Sequence, residues 1–304
     1  MTDKSHSSDT NPRYSRPYSF AMIGLAYLCA LFAAGVTVVL LPDLDPLWQA
    51  AWADVVATLV IFVFGWRFKN SSFYDAYWSV APPLLILFWL ATASFFDLRA
   101  ALVLAIVAFW SVGLTHNWAR GWSGLAHQDW RYVDLKESTG ALYPLVDLLG
   151  IQMMPTILVF LGTMPVWFLV FQGGAPLGAL DIIWPVLGFA AVLLERVADN
   201  ELRAFRLGLP GTSSKRVLAT GVWAYVRHPN YLGEIGFWLS LGLAGFAASG
   251  QWLSLLGFAL ILGLFVGITV PMIERRQLAA KPEYAAYCAE VGALLPRLRR
   301  RTKA

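Results

Sequence analysis

Residues 18–41 read YSFAMIGLAYLCALFAAGVTVVLL, a run with no charged residue. A bilayer's hydrocarbon core takes about 20 predominantly apolar residues as a helix, so this stretch is long enough to cross. Working outward from it, the same pattern recurs at roughly 48–66, 78–97, 99–117, 153–173, 180–199, 231–249 and 251–272. The fold class predicted is therefore all-α, a polytopic transmembrane helical bundle of eight spans. The fourth block begins just after Asp97 and Arg99, and counting it with the third as one tight hairpin gives seven. Composition agrees: 58% of the 304 residues are hydrophobic and 14% charged, against about 25% charged in an ordinary soluble domain. The mean hydropathy is +0.59.

Basic residues set the expected orientation, because cytoplasmic loops are enriched in Lys and Arg. With both termini cytoplasmic, every basic residue but Arg99 and Arg196 falls on the inner side, and the outer loops carry Asp43, Asp45, Asp97 and Asp181. The expected organisation is a disordered cytoplasmic N-terminus (1–17), a transmembrane bundle (18–272) and a basic cytoplasmic tail (273–304), in a bacterial inner membrane. The net charge of +4 is accounted for by attraction to anionic lipid and calls for no nucleic acid. The first block is too long for a signal peptide. Cys29 and Cys288 form neither a disulfide framework nor a metal-ligand spacing. Four histidines are too few for a membrane di-iron site, so no metal is expected. Oligomeric state is not legible.

Two inner loops stand out by length, at about 118–150 and 200–230. Long loops tend to carry function. The first contains Trp118, Arg120, Trp122, His127, Asp129, Trp130, Arg131 and Tyr132, a mixture that an interfacial aromatic belt also explains. The second begins with Asp199-Asn200-Glu201-Leu202-Arg203-Ala204-Phe205-Arg206. It ends with Arg227-His228-Pro229-Asn230-Tyr231-Leu232-Gly233-Glu234.

Charged side chains at membrane depth are costly and mark functional sites by default. His116, Asn117, Glu195, Arg196, Asp199, Asn200, Glu234 and Glu274 cluster at the inner ends of four predicted helices. Asp54 lies toward an outer end and is set apart from them. Convergence of the inner group on one water-accessible pocket is the expectation; scattered interfacial residues are the bland alternative. Arg203, Arg206, Arg227 and His228 are suited to phosphate, and Asn117, Asn200 and Asn230 add amide donors and acceptors. Asn230 and Glu234, four apart, share a helical face. That set suits a dinucleotide. No G-x-G-x-x-G or Walker pattern is present, which excludes a Rossmann or P-loop fold.

From about residue 70 onward these motifs resemble the steroid 5-alpha-reductase superfamily, in a bacterial branch of largely unassigned function. The Arg227-His228-Pro229-Asn230-Tyr231…Gly233-Glu234 string is similar to one shared with the sterol reductases. A shorter form also occurs in isoprenylcysteine carboxyl methyltransferases. The Asp199…Phe205-Arg206 stretch resembles an element that contacts NADPH. The resemblance implies NADPH as cofactor, with Glu195, Asp199 and Arg206 lining it. Asn230 and Glu234 would lie on the nicotinamide side, and Arg227, His228 and Tyr231 near the adenosine and phosphate. Asn117 and Arg120 belong to the expected cofactor set, and Glu274 and Arg275 are later candidates.

The reaction that the resemblance implies is hydride transfer to the β-carbon of a conjugated, lipophilic enone such as a 3-oxo-Δ4-steroid. The enone oxygen must be stabilised as charge builds on it. The family does this with a Tyr on a helix ending in Arg and an acid on the preceding helix. Arg120 matches that Arg, but His116 stands where the Tyr is expected. A histidine still donates a proton or hydrogen bond. Asp75 is the acidic partner expected, with Tyr74 or Tyr77 as further donors. The alternative is an S-adenosylmethionine-dependent methyltransferase of the isoprenylcysteine type. A third reading is a non-enzymatic lipid-binding membrane protein. A transporter is disfavoured, since no repeat-related halves appear. The partners expected are the lipid bilayer and a lipophilic small-molecule substrate.

Overall fold

A computed structural model of the chain describes residues 14–209 and 216–297. The described residues are helical, with no β-strand beyond one isolated parallel bridge, Val226 to Gly292. The disorder expected of the N-terminus falls mostly outside the described residues. Arg16, at its edge, is already helical.

The helices in order are α1 (Arg16–Leu40), α2 (Pro46–Phe68), α3 (Tyr77–Ala93), α4 (Leu98–Gly121), α5 (Trp130–Thr139), α6 (Tyr143–Val146), α7 (Met154–Phe171), α8 (Leu180–Arg206), α9 (Pro229–Ser249), α10 (Leu256–Leu264), α11 (Val270–Ala280) and α12 (Tyr284–Glu290). Their ends follow from local chemistry. Ser15 caps α1 by accepting from the Tyr18 amide. Asp45 accepts from the Leu47 amide and Pro46 opens α2, the position where proline's missing N–H costs nothing. Asp97 accepts from the Ala100 amide at the head of α4, and Asp129 from the Arg131 amide at the head of α5.

Among the described residues, seven helical segments are long and apolar enough to cross a membrane. They are Arg16–Leu40, Pro46–Phe68, Ser71–Ala93, Leu98–Gly121, Trp130–Phe171, Pro229–Ser249 and Trp252–Ala280. Seven, not eight, is thus the number that length and composition support. The stretch expected as a span at 180–199 is a helix of 27 residues, but Asp181, Glu195, Arg196 and Asp199 make it too charged to qualify.

One expected loop is also corrected. The inner loop placed at 118–150 is mostly helix. α4 continues to Gly121, and from Trp130 helical turns run, past a break at Gly140 (φ +53), through a π-helical turn at Asp147–Met153 into α7. In the segment expected as the tail, α11 runs on to Ala280 and α12 follows.

The chain divides into two compact units. The first comprises Met1–Phe95 and Ser111–Phe160, and its core gathers Ile23, Ala26, Ile61, Phe73, Tyr74, Tyr77, Trp122 and Leu125. Asn70 ties it together. Its buried amide donates to the carbonyls of Leu125 (2.9 Å) and His127 (3.0 Å), while its Oδ1 accepts from the Ser72 amide (2.9 Å). Arg16 donates to the carbonyls of Trp122 and Ala119 (3.1 and 2.8 Å), which caps the exposed end of α4.

The second unit comprises Phe96–Trp110 and Leu161–Ala304. Its main helix pair is α8 against α9, and the two approach at glycine. A Cβ on Gly233 would lie 2.7 Å from the Ala191 carbonyl oxygen and 2.7 Å from Glu195 Cβ. Only a hydrogen side chain fits there. Arg99, the one basic residue expected outside, makes a two-pronged pair with Asp181 (2.7 and 2.8 Å) and donates to the carbonyls of Ala175 and Pro176. With four of its five N–H donors answered, the buried charge is tolerated.

Candidate functional site

In the second unit, polar residues on α8 and α9 come together. Glu195 and Asp199 are one turn apart on α8, and Asn230 and Glu234 one turn apart on α9. The Asn230 amide donates to Asp199 Oδ1 at 3.3 Å. One turn deeper, the carboxyls of Glu195 and Glu234 meet.

Glu234 is fixed further by two indoles. Trp110 Nε1 donates to its Oε2 at 2.8 Å and Trp238 Nε1 to its Oε1 at 2.7 Å. Behind them Trp110 stacks on Phe237, centroids 4.4 Å apart, with Trp238 edge-on to both. The place of Gly233 in the motif follows. Without a side chain there, α8 reaches α9 closely enough for the two glutamates to meet.

The loop before α9 is held by a second set of contacts. Glu274 Oε1, on α11, accepts from Arg227 Nε (2.9 Å) and Nη2 (2.6 Å) and lies 3.1 Å from His228 Nε2. The remaining Arg227 nitrogen donates to the carbonyls of Cys288 and Val291. The amides of Arg227 and His228 donate to the carbonyls of Gly292 and Ala293, and the Tyr287 hydroxyl donates to the Trp223 carbonyl. His228 stacks on Tyr231 (5.3 Å), which rests on Phe265 (5.0 Å). Burial pushes the His228 imidazole below its ordinary range. Glu274 opposes that shift and Arg227 adds to it.

Two expected residues lie on the surface of this unit. Arg206 is exposed at the end of α8. Arg275 is exposed on α11 and donates to the Pro271 carbonyl. Arg206 and Arg216 are near enough to Lys281 that, together with burial as the larger cause, they pull its ammonium below the usual lysine range. Three cations thus share one neighbourhood.

The other expected residues belong to the first unit. His116 is exposed on α4, and Asn117 Oδ1 accepts from Arg120 Nε and Nη2 (3.2 and 2.9 Å). Asp75 is bound by the Tyr132 hydroxyl (2.8 Å). Tyr74 meets Thr156 (2.8 Å), and Tyr77 donates to Asp54 Oδ1 (3.0 Å). Sequence reasoning set Asp54 aside because of its depth, and it missed the indoles of Trp110 and Trp238, which apolar periodicity counts as core. Among the described residues, no group of three or more His, Cys, Asp or Glu is placed to hold a metal ion.

Spanning helices around buried acids, amides and ion pairs define an integral membrane protein. Residues 61–291 match the family described as a protein of unknown function, DUF1295, and the chain belongs to that family. It is similar to the uncharacterized protein C594.04c of the fission yeast Schizosaccharomyces pombe, at 28% identity, with 80% of each chain covered. No solved structure matches.

Proposed function

We propose that this protein is an integral-membrane reductase that uses NADPH to reduce the C=C bond of a lipophilic enone, in the manner of the steroid 5-alpha-reductases it resembles. The observation that carries the reading is the joined cluster of Asp199, Asn230, Glu195 and Glu234. It offers an amide and acidic oxygens on two packed helices of a membrane protein. The donor set fits the cofactor. Asn230 and Asp199 offer the complementary groups that a carboxamide needs. The neighbourhood of Arg206, Arg216 and Lys281 supplies the positive charge that phosphates need.

NADPH, when bound, supplies the hydride. The chain's own residues bind and orient. Glu195 and Glu234 fix the α8–α9 face. Arg227, occupied by Glu274 and by backbone carbonyls, serves to set the loop that presents Asn230.

The test is thermal unfolding of the purified protein with NADPH or S-adenosylmethionine. At a hundredfold excess over Kd a ligand stabilises by about 2.7 kcal/mol, which is several degrees in Tm for a chain of this size. NADPH is expected to give that shift and Arg206→Ala to reduce it. Stabilisation by S-adenosylmethionine alone would transfer the protein to the methyltransferase reading.

A further inference from the structure

The first unit contains a cavity of about 180 Å³ bounded by α1, α2 and α3. Small side chains create the space: Ala34 and Gly35 on α1, Ala50, Ala53 and Ala57 on α2, and Ala81 on α3. Leucine at any of these positions would fill part of it. Nearly all the remaining wall is aliphatic or aromatic. The exception is Asp54, which lines the cavity with Tyr77 beside it.

Asp54 is 4% exposed. Its Oδ1 accepts from Tyr77, but its Oδ2 has no hydrogen-bond partner among the described residues. An unanswered carboxyl oxygen within a membrane-spanning helix costs several kcal/mol. It is also rigidly placed. Tyr77 bonds Thr58 as well as Asp54. Thr58 meets Thr156 at 2.8 Å, and Thr156 meets Tyr74 at 2.8 Å and donates to the Gln152 carbonyl at 2.9 Å. These side chains are all buried. The network fixes Oδ1 and leaves Oδ2 pointing to nothing. A preorganised acceptor at the end of an apolar cavity is the general form of a small-molecule site.

We propose that this cavity binds the hydroxyl-bearing end of an apolar molecule, which donates its O–H to Asp54 Oδ2. The recognised class is a lipophilic alcohol or phenol. For scale, a dry apolar cavity of about 150 Å³ holds benzene, so this one takes a ring with a short branch. Most of the lining, including all of α1 and Asp54 itself, precedes residue 61, where the family match begins. The site therefore goes beyond the reductase reading and stands without it.

The probe pair is 4-tert-butylphenol and its methyl ether, 4-tert-butylanisole, which has nearly the same shape but no donor. Thermal unfolding of the full chain in lipid nanodiscs is followed as each is titrated. The phenol is expected to stabilise saturably, and the ether to need about tenfold more for the same shift, the value of one buried hydrogen bond. Asp54→Leu is expected to abolish that discrimination. Ala57→Leu, which fills the cavity, is expected to remove the phenol's effect, with Ala53→Leu as the second filling variant should the first not fold. Equal responses to phenol and ether in the wild type, or an undiminished phenol response in a folded filling variant, would overturn the proposal.

Discussion

Glu234 in the second unit and Asp54 in the first are buried carboxyls answered in opposite ways. In the second, Glu234 is met by two indoles and by Glu195, Asp181 by both prongs of Arg99, and Glu274 by Arg227 and His228. In the first, Asp54 is met on one oxygen only, by a hydroxyl, next to empty space. The lesson concerns cost. A satisfied buried acid is part of the framework, and removing it strands its donors. A half-satisfied acid is a liability to the fold, so its removal should cost little.

That difference can be broken directly. Glu234→Leu strands the indole donors of Trp110 and Trp238, at roughly 1–3 kcal/mol each, so a loss of about 2–6 kcal/mol is expected. Asp54→Leu should leave stability within about 1 kcal/mol of wild type or raise it. Reversible unfolding of both variants in one detergent reads the contrast. Similar losses in the two would erase it.

Gly233→Ala comes next in size. The added methyl would have to displace the Ala191 carbonyl or Glu195, and overpacking of this kind costs about 1–3 kcal/mol. It should also weaken NADPH stabilisation, since α8 and α9 would be pushed apart at the glutamate pair. A variant of wild-type stability and cofactor response would show that the close approach is not needed.

The smallest effect expected is a pH dependence. His228 has a lowered pKa in the folded state, so below the unfolded value of about 6.5 the unfolded chain binds more protons than the folded one. Its contribution to stability is therefore complete above about pH 6.5 and is lost as pH falls through the lower, folded pKa. His228→Gln should flatten that part of a Tm–pH curve. An unchanged slope would mean that another group carries it.

Much of this architecture was legible in the sequence, because lipid enforces a simple code of apolar length. The predicted block at 231–249 is α9 to within two residues at its start, and 99–117 is most of α4. Polar residues inside apolar blocks stand out for the same reason, as Glu195, Asp199 and Glu234 do. Hydropathy reports solvent and not hydrogen bonding, so it missed helix wherever the helix turns polar. Residues 130–139 were read as loop, and the charged end of α8 as the end of a span. Partners far apart in sequence were equally hidden. Nothing in a tail of mixed charge announces that Glu274 and the carbonyls of Cys288 and Val291 close on Arg227. Nor does sequence show that Tyr77 faces Asp54.

The grip on Arg227 has a consequence for biosynthesis. Its carbonyl partners at Cys288 and Val291 are translated 61 and 64 residues after it. A nascent chain can insert its earlier helices and pair Glu195 with Glu234, yet the segment presenting Asn230 has only part of its anchorage until those later residues arrive. Maturation of the site is thus a late event, and ribosomal stalling before residue 288 would yield a membrane-inserted but unfinished protein.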